Sequence, residues 1–290
     1  MAVEESQGGT QVGDLPEVCL ALAIALTSPR DASRCAAVSP SFQAAADSDH
    51  VWRRFLPDDL VMHLQSPPHA RKRKIKTKDA YLDLCDAAGA VTVGGGAKVW
   101  LEKASGAKCY ALSARSLSLP WDDGEFCWRF TPHPTSRFGE VAELVECTCL
   151  DIYGRLPAAA LSPATPYAAY LVYGSVEEGR RRGLSFPDQE TAVSVGGRTA
   201  TRHAVCLWPD DTEARKLRAG AAAAAGGEAP PRRPRRRGDG WWEVEMGRLC
   251  TSTAAGEGED DDVVAGFEVM GWQPKRGLVL EGIEFRPVVN

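Results

Sequence analysis

The sequence predicts an α+β chain of more than one domain, a small helical N-terminal part followed by an antiparallel β-sandwich. Two observations carry this: up to about residue 90 the apolar residues follow proline-marked helix starts, and from about Val91 their period changes to two. A third excludes the parallel alternative, since no helical pattern alternates with the strands as a βαβ unit requires. A length of 290 residues with 44% hydrophobic side chains supports two cores.

Residues 14 to 56 read as three short helices and a last turn. Leu15-Pro16 opens a run containing Val18, Leu22 and Ile24. Ser28-Pro29-Arg30-Asp31 sets a capping hydroxyl, a proline at the first helical position and an acid at the third. Ser39-Pro40 repeats that start before Phe42, and Ser48 or Asp49 caps a turn carrying Val51, Trp52, Phe55 and Leu56. With Leu20, Leu26 and Val38 added, this is more apolar surface than three short helices hide, so part of it is expected to meet a partner or the downstream domain. Residues 58–90 then read as a helical linker. Within it "RKRKIKTK", Arg71 to Lys78, is a solvated linker or helix face, with a nuclear-import signal as the second reading. "AYLDLCDAAG" is one more helix, stopped by Gly89.

Strands are expected at 98–103, 108–118, 126–131, 141–153, 168–176 and 191–195. In "RHAVCLW" Ala204, Cys206 and Trp208 share a face, and in "GLVLEGIEFRP" Val279, Ile283 and Phe285 do. In "WWEVEMG" Trp242, Val244 and Met246 alternate with Glu243 and Glu245, which assigns the two carboxylates to solvent. Lys216 to Gly240 mixes Ala, Gly, Pro and Arg without large apolar side chains, so it is expected to be a disordered insertion at about 216–240. Gly256 to Asp262 looks like a second such loop.

A net charge of −5 argues against nucleic acid as a partner. Nine scattered cysteines, an odd number, fit a reducing compartment. The first residues lack an apolar signal core, and no stretch reaches the roughly 18 to 20 apolar residues of a spanning helix. The expectation is a cytoplasmic or nuclear protein without membrane insertion. Catalytic signatures are missing as well: the histidines form no i,i+4 pair, "GGGAK" lacks the end of a phosphate loop, and no Gly-x-Ser-x-Gly elbow occurs. Cys147-Thr148-Cys149 has no second ligand pair at zinc spacing. No catalytic residue, metal or cofactor is expected.

The first half resembles an F-box, in Leu15-Pro16, the Ser28-Pro29-Arg30-Asp31 step, Val38-Ser39 before Phe42, and Val51-Trp52 with Phe55-Leu56. The second is similar to the phloem-protein-2 or Nictaba-like lectin domain of plants, in "VWLEKASGAKCYALSARSLSLPW", "SRFGEVAEL", "LSPATPYAAYLVY", "WWEVEMG" and "GLVLEGIEFRP", in family order. The resemblance implies an F-box over 14–57 and a jelly-roll-like lectin β-sandwich over 91–290. It also implies a non-catalytic substrate receptor of an SCF-type ubiquitin ligase, docked on a Skp-type adaptor and through it on cullin. A glycoprotein or protein substrate is implied on the sandwich. Carried over by position, Leu15, Pro16, Ile24, Val38, Phe42 and Trp52 are the adaptor-binding candidates. Trp121 and Trp128 have the spacing of two tryptophans associated with sugar binding in the family, and Glu243 and Glu245 are the accompanying carboxylates; the ligand implied is an oligosaccharide. Alternation gives Trp128 a competing role, because Phe126, Trp128 and Phe130 share one face as core residues do. Other readings are a free carbohydrate-binding lectin or stress protein, and a protein-binding receptor without sugar recognition.

Overall fold

The computed structural model describes residues 12, 15–64, 76–86, 89–119, 127–176, 181–185, 189–209, 231–251, 261–269 and 273–289. Apart from the last two residues, the chain divides into one unit of Met1–Val91 with Trp100–Gly106 and another of Thr92–Val99 with Ala107–Val288.

In the first unit the described residues form six helices: α1 (Glu17–Ile24), α2 (Pro29–Cys35), α3 (Pro40–Ala46), α4 (Asp49–Phe55), α5 (Asp58–Leu64) and α6 (Thr77–Cys85). Four lie within residues 14–57, where the pattern predicts three. The difference is the last turn, which is a helix of its own because Ser48 takes an extended conformation and breaks the axis after α3. The serine-proline starts act as their spacing suggests: the Ser28 hydroxyl accepts the Asp31 N–H at 3.1 Å, and that of Ser39 accepts the Phe42 N–H at 3.3 Å. Hydrogen bonding from Ser28, aided by Arg34, holds the Asp31 carboxyl below its ordinary range.

Trp52 and Tyr81 are the centre of this unit. Trp52 donates its indole N–H to the Ala46 carbonyl at 2.7 Å and meets Phe55 and Tyr81 at centroid distances of 5.7 and 5.2 Å. Tyr81 comes from α6 and donates to the Lys103 carbonyl at 3.1 Å. Thr77, the first residue of α6, donates its backbone N–H to Asp49 at 3.1 Å. Residues 58–90 are therefore not merely a linker, since α6 supplies a fully buried ring to the helical core. The basic run from Arg71 to Ile75 lies outside the described residues.

The strands are β1 (Val91–Thr92), β2 (Lys98–Leu101), β3 (Lys108–Ser113), β4 (Trp128–Pro132), β5 (Glu140–Leu144), β6 (Leu150–Pro157), β7 (Pro166–Ser175), β8 (Gln189–Val195), β9 (Arg198–Val205), β10 (Arg235–Arg236), β11 (Trp242–Cys250), β12 (Asp262–Val269) and β13 (Leu278–Pro287). In the second unit one sheet runs β3-β13-β7-β11-β10, with β5 also paired to β13 and β4 to β5, and a second runs β6-β12-β8-β9. Every one of these pairings is antiparallel. One apolar core takes Leu112, Trp128, Tyr173, Met246 and Phe285 from the first sheet and Ile152, Val193, Val263 and Phe267 from the second. This is a two-sheet antiparallel sandwich.

Several expectations change. The strand predicted over 141–153 is two strands in different sheets, with Cys147 between them bridging to Lys275. β12 is absent from the predicted strands, yet it lies inside the second sheet; Val263, Ala265, Phe267 and Val269 alternate inward, but the acidic run ending at Asp262 hides where they begin. In β9 the inward side carries Val205, while Ala204 is exposed.

Two β-bulges account for further differences. In β13 the register shifts between Leu280 and Gly282, so Leu278 and Leu280 share the core with Ile283 and Phe285, and Val279 points to the other face. Gly282 is required there, because a Cβ would lie 1.9 Å from the Leu112 carbonyl oxygen. A second shift, between Glu245 and Gly247 of β11, brings the backbone of Gly247 to where a Cβ would meet Thr201 Oγ1 at 2.2 Å. The first sheet can approach the second closely at that point.

Residues 231–240, which composition places in a disordered insertion, are ordered around β10. Arg235 and Arg236 pair with Glu243 and Trp242, while Arg232 makes a parallel bridge to Val205. Residues 210–230 lie outside the described ones.

Candidate functional site

Helix α1, "EVCLALAI", is apolar nearly all round, a composition that suits a helix covered on every side. Only one side is covered within its unit. Leu20, Ala21 and Ile24 are buried, whereas Val18 is 68% and Leu22 50% exposed, flanked by Leu15 at 44%, Leu26 at 82% and, beyond α2, Val38 at 67%. Of the large hydrophobic side chains exposed among the described residues, most belong to this short stretch.

The six adaptor-binding candidates separate into two groups. Leu15, Pro16 and Val38 are exposed and Phe42 is half-buried, so they are available to a partner. Ile24 and Trp52, 3% and 2% exposed, are corrected to internal residues: their side chains hold the helices together and present no surface for an adaptor.

In the sandwich, Trp121 lies outside the described residues. Trp128 is 3% exposed and belongs to the core, so it has no ring face for a sugar and is corrected to a packing residue. Its position follows from β4, where Trp128 pairs with Leu144 and both point between the sheets.

Glu243 is the largest departure. Alternation gives it to solvent, yet it is 1% exposed, because arginines cover that face of the first sheet. Its carboxylate pairs with Arg235, with Arg286 at 2.7 Å and with Arg237 at 3.4 Å. Arg237 reaches on to Glu284 at 2.7 Å, and Arg137 meets the same Glu284 at 2.6 Å. Glu281, at the β13 bulge, accepts the backbone N–H of Arg137 at 2.9 Å; burial raises its pKa, a rise that Arg137 opposes. Arg286 also stacks 3.8 Å over the Tyr170 ring.

Glu245 sits at the margin of this network, with Arg232 at 2.8 Å and Arg248 at 2.9 Å. Burial pushes its pKa up, but the two guanidiniums outweigh this and leave it lowered. Neither glutamate is a free carboxylate awaiting a ligand. For Arg237 the balance is similar: burial favours the neutral form, and Glu284 and Asp239 overcome it and raise the pKa.

The arginines are what the sequence reading missed. The signal was available: Arg235-Arg236-Arg237-Gly238-Asp239-Gly240 precedes Trp242-Glu243-Val244-Glu245, an Asp-Gly turn between basic and acidic runs, which is a hairpin pattern with complementary charges. Arg137 and Arg286 come from distant segments, and no local pattern announces them. Among the described residues no group of His, Cys, Asp and Glu is arranged to hold a metal, and no helix is long and apolar enough to cross a membrane. None of the nine cysteines forms a disulfide.

A helical unit with an uncovered apolar face is followed in sequence by an antiparallel sandwich. The family model for phloem protein 2 matches residues 107–287. F-box protein PP2-B15 of Arabidopsis thaliana is 35% identical over 286 residues, covering 94% of this chain and 96% of the relative. F-box protein PP2-B13 of the same plant is 37% identical, covering 94% and 98%. The chain belongs to the family of F-box proteins that carry a phloem protein 2 domain. Among solved structures, Caldicellulosiruptor saccharolyticus CBM27-1, in complex with mannohexaose, matches 63% of this chain and 98% of its own at 11% identity and a TM-score of 0.31, too slight a likeness to carry an argument.

Proposed function

We propose that this chain is the substrate-recognition subunit of an SCF-type ubiquitin ligase. The helical unit docks on a Skp-type adaptor, through which cullin is recruited, and the sandwich holds the target. The chain contributes no catalytic group of its own; it raises the concentration of target beside a ubiquitin-loaded enzyme. It works in the cytoplasm or nucleus. The observation that supports this best is the apolar face of Leu15, Val18, Leu22, Leu26 and Val38, since a patch of this kind on a small unit marks an interaction surface.

The test is capture of a purified Skp-type adaptor by the full chain. Leu15→Ala with Pro16→Ala should abolish capture, by removing an apolar anchor and the proline-fixed helix start together. Undiminished capture by the double variant would sink the proposal.

For the target, a glycoprotein bound through N-glycans containing GlcNAc or mannose is one version and a protein surface the other. Trp121 carries the first, because an indole ring supplies the apolar contact a pyranose needs. Trp121→Ala should remove binding to immobilised chitin oligomers and high-mannose glycans while leaving the melting temperature unchanged. A wild-type chain that binds none of these glycans refutes the sugar version.

A further inference from the structure

Where β4 and β5 meet the end of β7 and the approach to β13, a cavity of about 220 Å³ is lined by Arg129, Glu143, Val145, Val176 and Arg276 among others. Arg129 and Glu143 are cross-strand partners. Arg276 is fixed by reciprocal backbone hydrogen bonds with Arg182, at 3.1 and 3.0 Å. Its Nε is sealed from solvent and meets no acceptor. Among the described residues neither Arg129 nor Arg276 forms an ion pair, in contrast to the arginines over Glu243. The backbone N–H groups nearby are already used: Val145 donates to Cys127 at 2.8 Å, Gly277 to Leu144 at 2.9 Å and Val176 to Gly277 at 3.1 Å.

Among the described residues the cavity thus holds two guanidiniums against one carboxylate, an excess of one positive charge. Guanidinium geometry favours a planar, bidentate acceptor such as a carboxylate. The volume lies below the roughly 300 Å³ at which pockets begin to enclose a drug-sized ligand, so the cavity takes one functional group and its stem. Val145 and Val176 suit an aliphatic stem. Among the described residues no aromatic ring lines the cavity, as the C–H face of a sugar would favour.

We infer that this cavity receives a carboxylate of the captured polypeptide, held by Arg276 and Arg129, with Glu143 accepting an N–H beside it. The inference rests on the sandwich being the target-binding part. The carboxylate can be an acidic side chain or a chain terminus.

The experiment follows arginine Nε–Hε resonances of the full chain during titration. The probes are N-acetylglutamic acid α-amide, which offers only a side-chain carboxylate, and N-acetylglycine, which offers only a terminal one; glucuronate and inorganic phosphate are the comparators. The expected result is a saturable shift of the Arg276 signal with at least one of the first two, and the effective one identifies the source. Affinity should fall tenfold or more in Arg276→Gln and in Arg129→Gln, and rise severalfold in Glu143→Gln. The exposed Arg129 side chain makes Arg129→Gln decisive even where Arg276→Gln does not fold. No saturable shift with either peptide-like probe, equal affinity in wild type and Arg129→Gln, or binding of glucuronate or phosphate alone would each overturn the inference. Adaptor capture by the same preparation is independent of this readout. Intact capture without carboxylate binding ends this inference only, and carboxylate binding without capture ends the ligase reading only.

Discussion

Removing the Glu243 carboxylate from water is unfavourable by several kcal/mol, and the first sheet offsets this with Arg235, Arg237 and Arg286. Glu243→Ala leaves those guanidiniums without their common partner, so the expected loss of stability is about 3 to 5 kcal/mol in urea unfolding. Glu245→Ala should lose about 1 kcal/mol or less, because its two arginine partners are partly exposed. Trp128→Ala should cost about 3 to 5 kcal/mol through lost burial and an unfilled cavity. Asp151 behaves in the opposite sense. It stands directly across from Glu268, which in turn faces Glu190 on the next strand. Burial and the Glu268 charge raise the Asp151 pKa, with Lys275 pulling it down by less. A carboxyl with a raised folded pKa makes stability rise as pH falls through the window from that raised value to its ordinary one. Asp151→Asn should therefore stabilise the chain by about 0.5 kcal/mol at neutral pH, with the gain disappearing in acid; the melting temperature against pH measures it. At this scale the sequence marks which residues carry charge or rings. It does not mark their surroundings: Trp128 follows from the alternation of its strand, while Glu243 depends on Arg286, 43 positions away.

Elements were more legible where local chemistry decides. The serine-proline starts of α2 and α3 follow from capping, and Ser28→Ala should cost about 1 kcal/mol of the helical unit's stability, read by thermal melting. Bulges were not legible, because a one-residue shift at Glu281 or Gly247 exchanges faces without changing any local propensity. Of the predicted insertion, the described residues from 231 on are ordered around β10. Deleting residues 210–230 should leave cooperative unfolding nearly unchanged, since loop length enters only through a slowly growing closure term. Extending the deletion through Arg237 removes β10 with Arg235 and Arg237, two of the arginines over Glu243 and Glu284, and should lower the unfolding midpoint by many degrees. Composition does not show that Arg235 and Arg236 pair with β11.

For the whole molecule, the change of hydrophobic period near Val91 lies at the sequence boundary between the two compact units. Trp100–Gly106 returns to the helical unit, where Tyr81 and the Arg30 N–H reach the carbonyls of Lys103 and Ala104. No periodicity reports such a return. The order of strands within the sandwich has a further consequence. Everything N-terminal to residue 210 supplies β3, β4, β5 and β7 to one sheet and β6, β8 and β9 to the other, while everything after 230 supplies β10, β11 and β13 to the first and β12 to the second. The two segments are interlaced like the fingers of two hands, so a peptide bond hydrolysed between 210 and 230 does not release either piece. Limited proteolysis there should yield two fragments that elute together under native conditions and separate only in denaturant. Co-expressed as separate polypeptides, the same pieces should reassemble, which makes this stretch the natural place to divide the protein into a complementing pair.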